Sequence, residues 1–185
     1  LNINDELLVL SSTKQQTMKK VFVGFFALAA AAVSFGQTKD VVDIAIGSPD
    51  HTTLVAAVKA ADLVTTLKSA GPFTVFAPTN AAFDKLPAGT VTNLLKPENK
   101  AQLAKILTYH VVAGNLDAAA VVAAIKAGKG KAVVTTVSGG KLTASMDKDK
   151  VMLTDESGKT AYVVAADLKG SNGVVHVIDG VVLPK

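Results

Sequence analysis

Between Asp40 and Leu67, apolar residues fall at Val42, Ile44, Ile46, Leu54, Val55, Val58, Leu63, Val64 and Leu67, mostly at helical spacing. Gly47, Ser48 and Pro49 interrupt the series, so it predicts two or three short helices. Gly71 and Pro72 stop that region, and Phe73 to Ala77 then reads as a buried strand ended by Pro78. Thr79 supplies an N-cap oxygen for a helix through Ala82 and Phe83 to Leu86, closed by Pro87. After the Pro97 break, Ala101, Leu103, Ala104, Ile106 and Leu107 make one apolar helical face. Tyr109 to Val112 reads as a strand, and Asp117 to Ala127 as a second amphipathic helix capped by Asp117 and stopped by Gly128.

Beyond Lys131 the period shortens. Strands are predicted over 132–137, 142–146, 151–154, 161–165, 174–178 and 181–183, separated by glycine or charged turns in the manner of a β-meander. Helices gathered in the first half and strands in the second predict an α+β domain, its helices covering a mainly antiparallel sheet assembly.

Upstream, Met18, Lys19 and Lys20 precede an unbroken apolar run from Val21 to Val33, and Ser34 and Gly36 supply the small residues of a cleavage site. This order predicts a signal peptide over 18–36, cut near Gly36/Gln37, and an exported product that is secreted, periplasmic or held at the cell surface. The run is 13 residues, short of the roughly 20 a bilayer core needs, so no transmembrane anchor is expected in the mature form. Residues 1–17 read as an upstream extension before the true start. Removing residues 1–36 of 185 leaves 149, a size suited to one domain with a single core.

Composition narrows the partners. All 19 basic residues are lysine, so the forked donor that reads phosphates and base edges is absent and nucleic acid is not expected as a partner. With no cysteine there are no disulfide staples and no thiolate metal sites. His51, His110 and His176 show no metal-ligand spacing, no serine sits in a GxSxG elbow, and no glycine-rich loop has phosphate-cradling spacing. Neither metal, cofactor nor catalytic residue is therefore expected.

Three segments are more specific than periodicity: Thr74 to Phe83, TVFAPTNAAF; Leu107 to Asn115, LTYHVVAGN; and Asn172 to Leu183, NGVVHVIDGVVL. Together they resemble the signature blocks of the fasciclin (beta-Ig-H3) domain family, in its bacterial secreted single-domain form, over residues 39–185. The resemblance implies a wedge of two mainly antiparallel β-sheets, with about six to seven strands, covered by several short α-helices. It also implies an extracellular role in adhesion and binding.

On physical grounds most signature residues belong to the scaffold: Thr74, Phe76, Ala77, Pro78, Thr79, Asn80, Phe83, Asn172, Gly173, His176 and Asp179 build strands, caps and turns. His110, in an apolar run, is read as a hydrogen-bonded buried ring before a ligand or base, and His176 as pairing with a turn or loop carbonyl. In animal matrix members of the family, the Tyr-His block and an Asp-Ile pair ahead of the NGVVHVI block are linked to adhesion. Tyr109, His110, Asp167 and Leu168 occupy those positions and are the candidate binding residues, although Ala165 and Ala166 replace the motif's Glu-Pro. Lys126, Lys129 and Lys131 form a basic stretch that either favours an anionic polysaccharide or is a solvated face.

The leading functional expectation is a secreted or cell-surface adhesion module, mediating cell-cell, cell-matrix or biofilm attachment through a matrix or surface protein or a surface polysaccharide. The alternatives are a small-ligand-binding domain or enzyme using a pocket near His110, and a structural envelope component.

Overall fold

The computed structural model describes residues 39–185; the expected leader and the extension before it lie outside the described residues. Among the described residues there are seven α-helices and seven strands. Helix α1 (Val41–Ile46) opens on a capping box in which Asp40 accepts from the Asp43 amide and Asp43 reaches back to the Asp40 amide. Helices α2 (Thr52–Ala60) and α3 (Val64–Leu67) complete the first helical group. Strand β1 (Phe73–Pro78) leads into α4 (Asn80–Asp84), whose N-cap is Thr79 as expected. Then come α5 (Thr90–Leu94), α6 (Lys100–Tyr109), β2 (Val111–Ala113) and α7 (Ala118–Ala127), the last capped by Asp117. Strands β3 (Lys131–Thr135), β4 (Lys141–Asp147), β5 (Lys150–Thr154), β6 (Thr160–Gly170) and β7 (Gly173–Ile178) finish the domain.

The strands form one seven-stranded mixed sheet in the order β2-β1-β7-β6-β5-β4-β3. Strand β6 is 11 residues long and belongs to both halves of the wedge: β2, β1 and β7 on one side, β5, β4 and β3 on the other. Register shifts between Val163 and Ala165 and between Ala165 and Leu168 bend it there, as bulges do. The far ends nearly meet: Val112 bridges Thr136, and the Val137 N–H donates to the Val111 carbonyl at 2.7 Å. The expected α+β wedge is thus present as a single sheet curled almost into a barrel.

Three sequence expectations change. The β-meander holds from β3 to β7, but β7 then pairs in parallel with β1, from Phe73↔Gly173 to Pro78↔Ile178. Val181 to Leu183, expected as a strand, lies outside any strand and is held instead by side chains described below. Tyr109 to Val112 was expected as one strand, yet Tyr109 ends α6 and His110 is its C-cap. The helical period of α6 runs on through Tyr109, so the ring stays on the face carrying Ile106 and the turn to β2 begins one residue later.

Burial falls on both sides of β1 and β7. One cluster joins Val41, Leu54, Val58, Leu67, Leu107 and Val175 beneath the first helices. The other fills the curl of the sheet with Phe76, Tyr109, Ile125, Leu142, Leu153 and Ile178, covered by α7. Val174 to Ile178 is buried at every position because alternate side chains enter opposite sides of the sheet, which explains why it is apolar everywhere but at His176. Gly173 starts that strand against β1: a Cβ there would sit 2.0 Å from the Phe73 carbonyl oxygen.

Candidate functional site

The Tyr-His segment is set by the end of α6. Tyr109 is fully buried, its hydroxyl donating to the Lys141 carbonyl at 2.6 Å and accepting the Glu156 N–H at 3.3 Å. Its ring lies against Gly140, where a Cβ would come within 2.5 Å of Cε2. His110 is buried beside it. Its Nδ1 donates to the Ile106 carbonyl at 2.8 Å, which leaves Nε2 bare to accept the Val182 N–H at 3.3 Å. Burial is the main cause that lowers the His110 pKa to about 4, so the ring is neutral over the physiological range.

A second polar cluster centres on His176, also buried and stacked on Phe76 with ring centroids 5.7 Å apart. Its Nε2 donates to the Leu116 carbonyl at 2.7 Å, and Nδ1 accepts the Asp167 N–H at 3.4 Å. Asp167 sits in the β6 bulge with φ +59°, and its Oδ1 accepts the Ala118 N–H at 2.8 Å. It therefore satisfies one free amide at the start of α7 while Asp117 takes another, from Ala120 at 2.7 Å. Thr74 closes the arrangement, donating to the Gly114 carbonyl at 2.7 Å and accepting the Leu116 N–H at 2.8 Å.

The remaining signature side chains tie elements together. Asn80 accepts the Thr53 N–H and donates to the Pro49 carbonyl, both at 3.0 Å, joining α4 to α2. Asn172 accepts the Val41 N–H at 3.0 Å and donates to the Leu67 carbonyl at 2.7 Å, joining the β6–β7 turn to α1 and α3. Asp179 accepts the Tyr162 N–H at 2.8 Å.

The four candidate binding residues are not gathered in one place. Tyr109 and His110 are internal, in contact with β4 and the C-terminal segment, and their side chains are closed to a partner in this conformation. Asp167 and Leu168 are exposed at the β6 bulge, Leu168 opposite Val175. Lys126, Lys129 and Lys131 are all exposed where α7 passes into β3.

Asp155, absent from the sequence expectations, is as deeply buried as the histidines. Its Oδ1 accepts the Ser157 and Lys159 amides at 2.8 and 2.9 Å, and Oδ2 accepts the Leu183 amide at 2.9 Å. Asp followed three residues later by Gly158 is an Asx-turn signal that could have found the turn, though not its contact with Leu183. His51 is the other buried histidine; Nδ1 is 2.8 Å from the Ser48 hydroxyl, and burial lowers its pKa.

Among the described residues no cluster of three or more His, Asp or Glu could hold a metal ion, and no helix is long and apolar enough to cross a membrane. An apolar cavity of about 40 Å³ lies between α1, α2 and β1, with His110 at its wall.

One curled sheet under short helices, with Thr74, Asn80, Tyr109, His110, Asn172, His176 and Asp179 engaged in internal bonds, defines an α+β domain. The Fasciclin domain model matches residues 49–184. The chain is 52% identical over 144 residues to protein sll1483 of Synechocystis, covering 78% of this chain and 73% of that protein. It is 36% identical over 155 residues to the cell surface glycolipoprotein MPB83 of Mycobacterium bovis, covering 80% and 63%. The FAS1 domain pair of the insect cell adhesion molecule fasciclin I matches with a TM-score of 0.56 at 23% identity, over 70% of this chain and 43% of that one. The chain belongs to the fasciclin domain family.

Proposed function

We propose that this chain is an exported adhesion module that attaches a cell to another cell, a matrix or a biofilm by binding surface protein or polysaccharide, and that it does no covalent chemistry. The observation that carries this reading is the engagement of Tyr109, His110, His176 and Thr74 in internal hydrogen bonds, which leaves the exposed loops and sheet faces as the working surfaces. Export follows from the Met18 to Gly36 segment, and agrees with the printed names of a cell surface glycolipoprotein and a cell adhesion molecule among its relatives. Within this reading Asp167 and Leu168 are the candidate contacts, with Tyr109 and His110 holding β4 and the C-terminal segment in place.

Deleting the gene, or supplying the purified protein as a competitor, is expected to weaken attachment; unchanged attachment on several surfaces would overturn the reading. The small-ligand alternative has the cavity beside His110 in its favour. At about 40 Å³, with both His110 ring nitrogens already bonded to the main chain, it offers little room, and Lys59 is the one charged side chain on its lining.

A further inference from the structure

We infer that the outer face of the β3–β6 half of the sheet is the docking surface for an acidic, uronate-bearing polysaccharide. The inference rests on the adhesion reading and names its partner.

Strand register fixes which side chains share this face. Ala132, Ala144, Leu153 and Ala161 are buried and mutually paired across β3, β4, β5 and β6, so they define the inner side. Their neighbours must point outward. One outward row is Lys131–Ser145–Met152–Tyr162, and the next is Val133–Thr143–Thr154–Thr160. Lys141 and Lys150 stand at opposite ends of the same face. α7, the helix packed on β3 and β4, lies on the inner side, where Val121 and Ile125 meet the core.

Lysine outnumbers carboxylate on this face: Lys131, Lys141 and Lys150 face outward against Asp147, which stands opposite Lys150. Residues 126–159 carry seven lysines, all exposed, against four carboxylates. Among the described residues the lysines paired to carboxylates are Lys68, Lys85 and Lys100, all at the helices. Of the four carboxylates Asp155 is buried, while the exposed Glu156 accepts the Lys141 amide at 3.0 Å and the exposed Asp147 accepts the Tyr162 hydroxyl at 2.9 Å. Asp149 is exposed in the β4–β5 turn, between Lys148 and Lys150.

This pattern fits a chain of sugars with one carboxylate per unit. Separated ammonium groups suit separated carboxylates in water, threonine and serine hydroxyls between them can exchange hydrogen bonds with sugar hydroxyls, and the half-buried Tyr162 ring offers an apolar patch with a polar tip. With no arginine and one aromatic ring on the face, phosphate forks and base stacking have nothing to engage.

The test is affinity electrophoresis of the full chain through gels containing polygalacturonate or the same polymer fully methyl-esterified. Retardation by the acid form alone is expected, falling with salt. Replacing Lys131, Lys141 and Lys150 with Gln should weaken it about tenfold or more, while the same change at Lys59, Lys96 and Lys105 and the arginine version of the first set should retain it. Equal loss in the helical-side variant, equal retardation by the ester, or equal binding of DNA at matched charge would overturn the inference. Attachment assayed in parallel separates the two claims. Attachment without polygalacturonate binding defeats this inference alone, whereas polymer binding without any attachment defeats the adhesion reading.

Discussion

The bare Nε2 of His110 accepts the main-chain N–H of Val182 at 3.3 Å inside the protein, so a helix C-cap holds the last segment of the domain in place. That bond requires a neutral ring. Folding lowers the His110 pKa to about 4 from the ordinary 6.5, so between those values the unfolded chain binds more protons than the folded one. Stability is then fully present above about pH 6.5 and lost as pH falls toward 4, by about 3 kcal/mol in all. His51, also lowered by burial, acts in the same direction. Denaturant midpoints taken from pH 7.5 to 4 should show the fall, and a His110→Gln variant should flatten it; a wild-type profile level across that range would refute the account.

Thr74 joins the Gly114 carbonyl to the Leu116 amide through one buried hydroxyl. Thr74→Val keeps the shape and strands both groups, at a cost of about 2–4 kcal/mol. Thr74→Ser keeps the hydroxyl and should cost about 1 kcal/mol through the lost methyl. Urea unfolding at unchanged slope measures both, and an equal loss in the two variants would show that the hydroxyl is not the cause.

Much of this was legible in the sequence, for local reasons. Thr79 and Asp117 cap their helices as their positions announced, and Gly128 ends α7. The fasciclin blocks identified the α+β wedge because their prolines, glycines and alternating apolar residues are the scaffold itself. What was not legible depends on contacts distant in sequence. Val181 to Leu183 has the composition of a strand, but its amides go to His110 and Asp155, 72 and 28 residues away. The parallel β1–β7 pair joins residues 100 apart, beyond the reach of periodicity. Asp167 has the composition of a solvated turn residue; its carboxylate is bonded to α7, which begins 49 residues earlier.

Gly173 and Gly139 should respond very differently to alanine. At Gly173 the new Cβ would meet the Phe73 carbonyl oxygen at 2.0 Å, prising β7 from β1 through the centre of the sheet. The expected loss is more than about 3 kcal/mol, enough to remove most soluble folded protein. Gly139 has φ +87° but open space around it, so alanine there bears only the conformational cost of about 1–2 kcal/mol. Thermal unfolding and soluble yield compare the pair, and similar behaviour of the two would contradict the packing argument.

Asp167 separates structure from recognition. Its carboxylate bonds the first amide of α7, so Asp167→Ala should cost about 1 kcal/mol, with fraying of the α7 N-terminus visible in amide exchange. Asp167→Asn retains an acceptor oxygen at the same place and should lose only the charge interaction with the helix end, a few tenths of a kcal/mol. A contact with a partner would instead depend on the charge and on the neighbouring exposed Leu168. If the β6 bulge contributes to adhesion, Asp167→Asn and Leu168→Ala should each reduce attachment while the unfolding midpoint shifts little. If attachment falls only in Asp167→Ala, in proportion to its lost stability, the bulge holds α7 and contacts nothing.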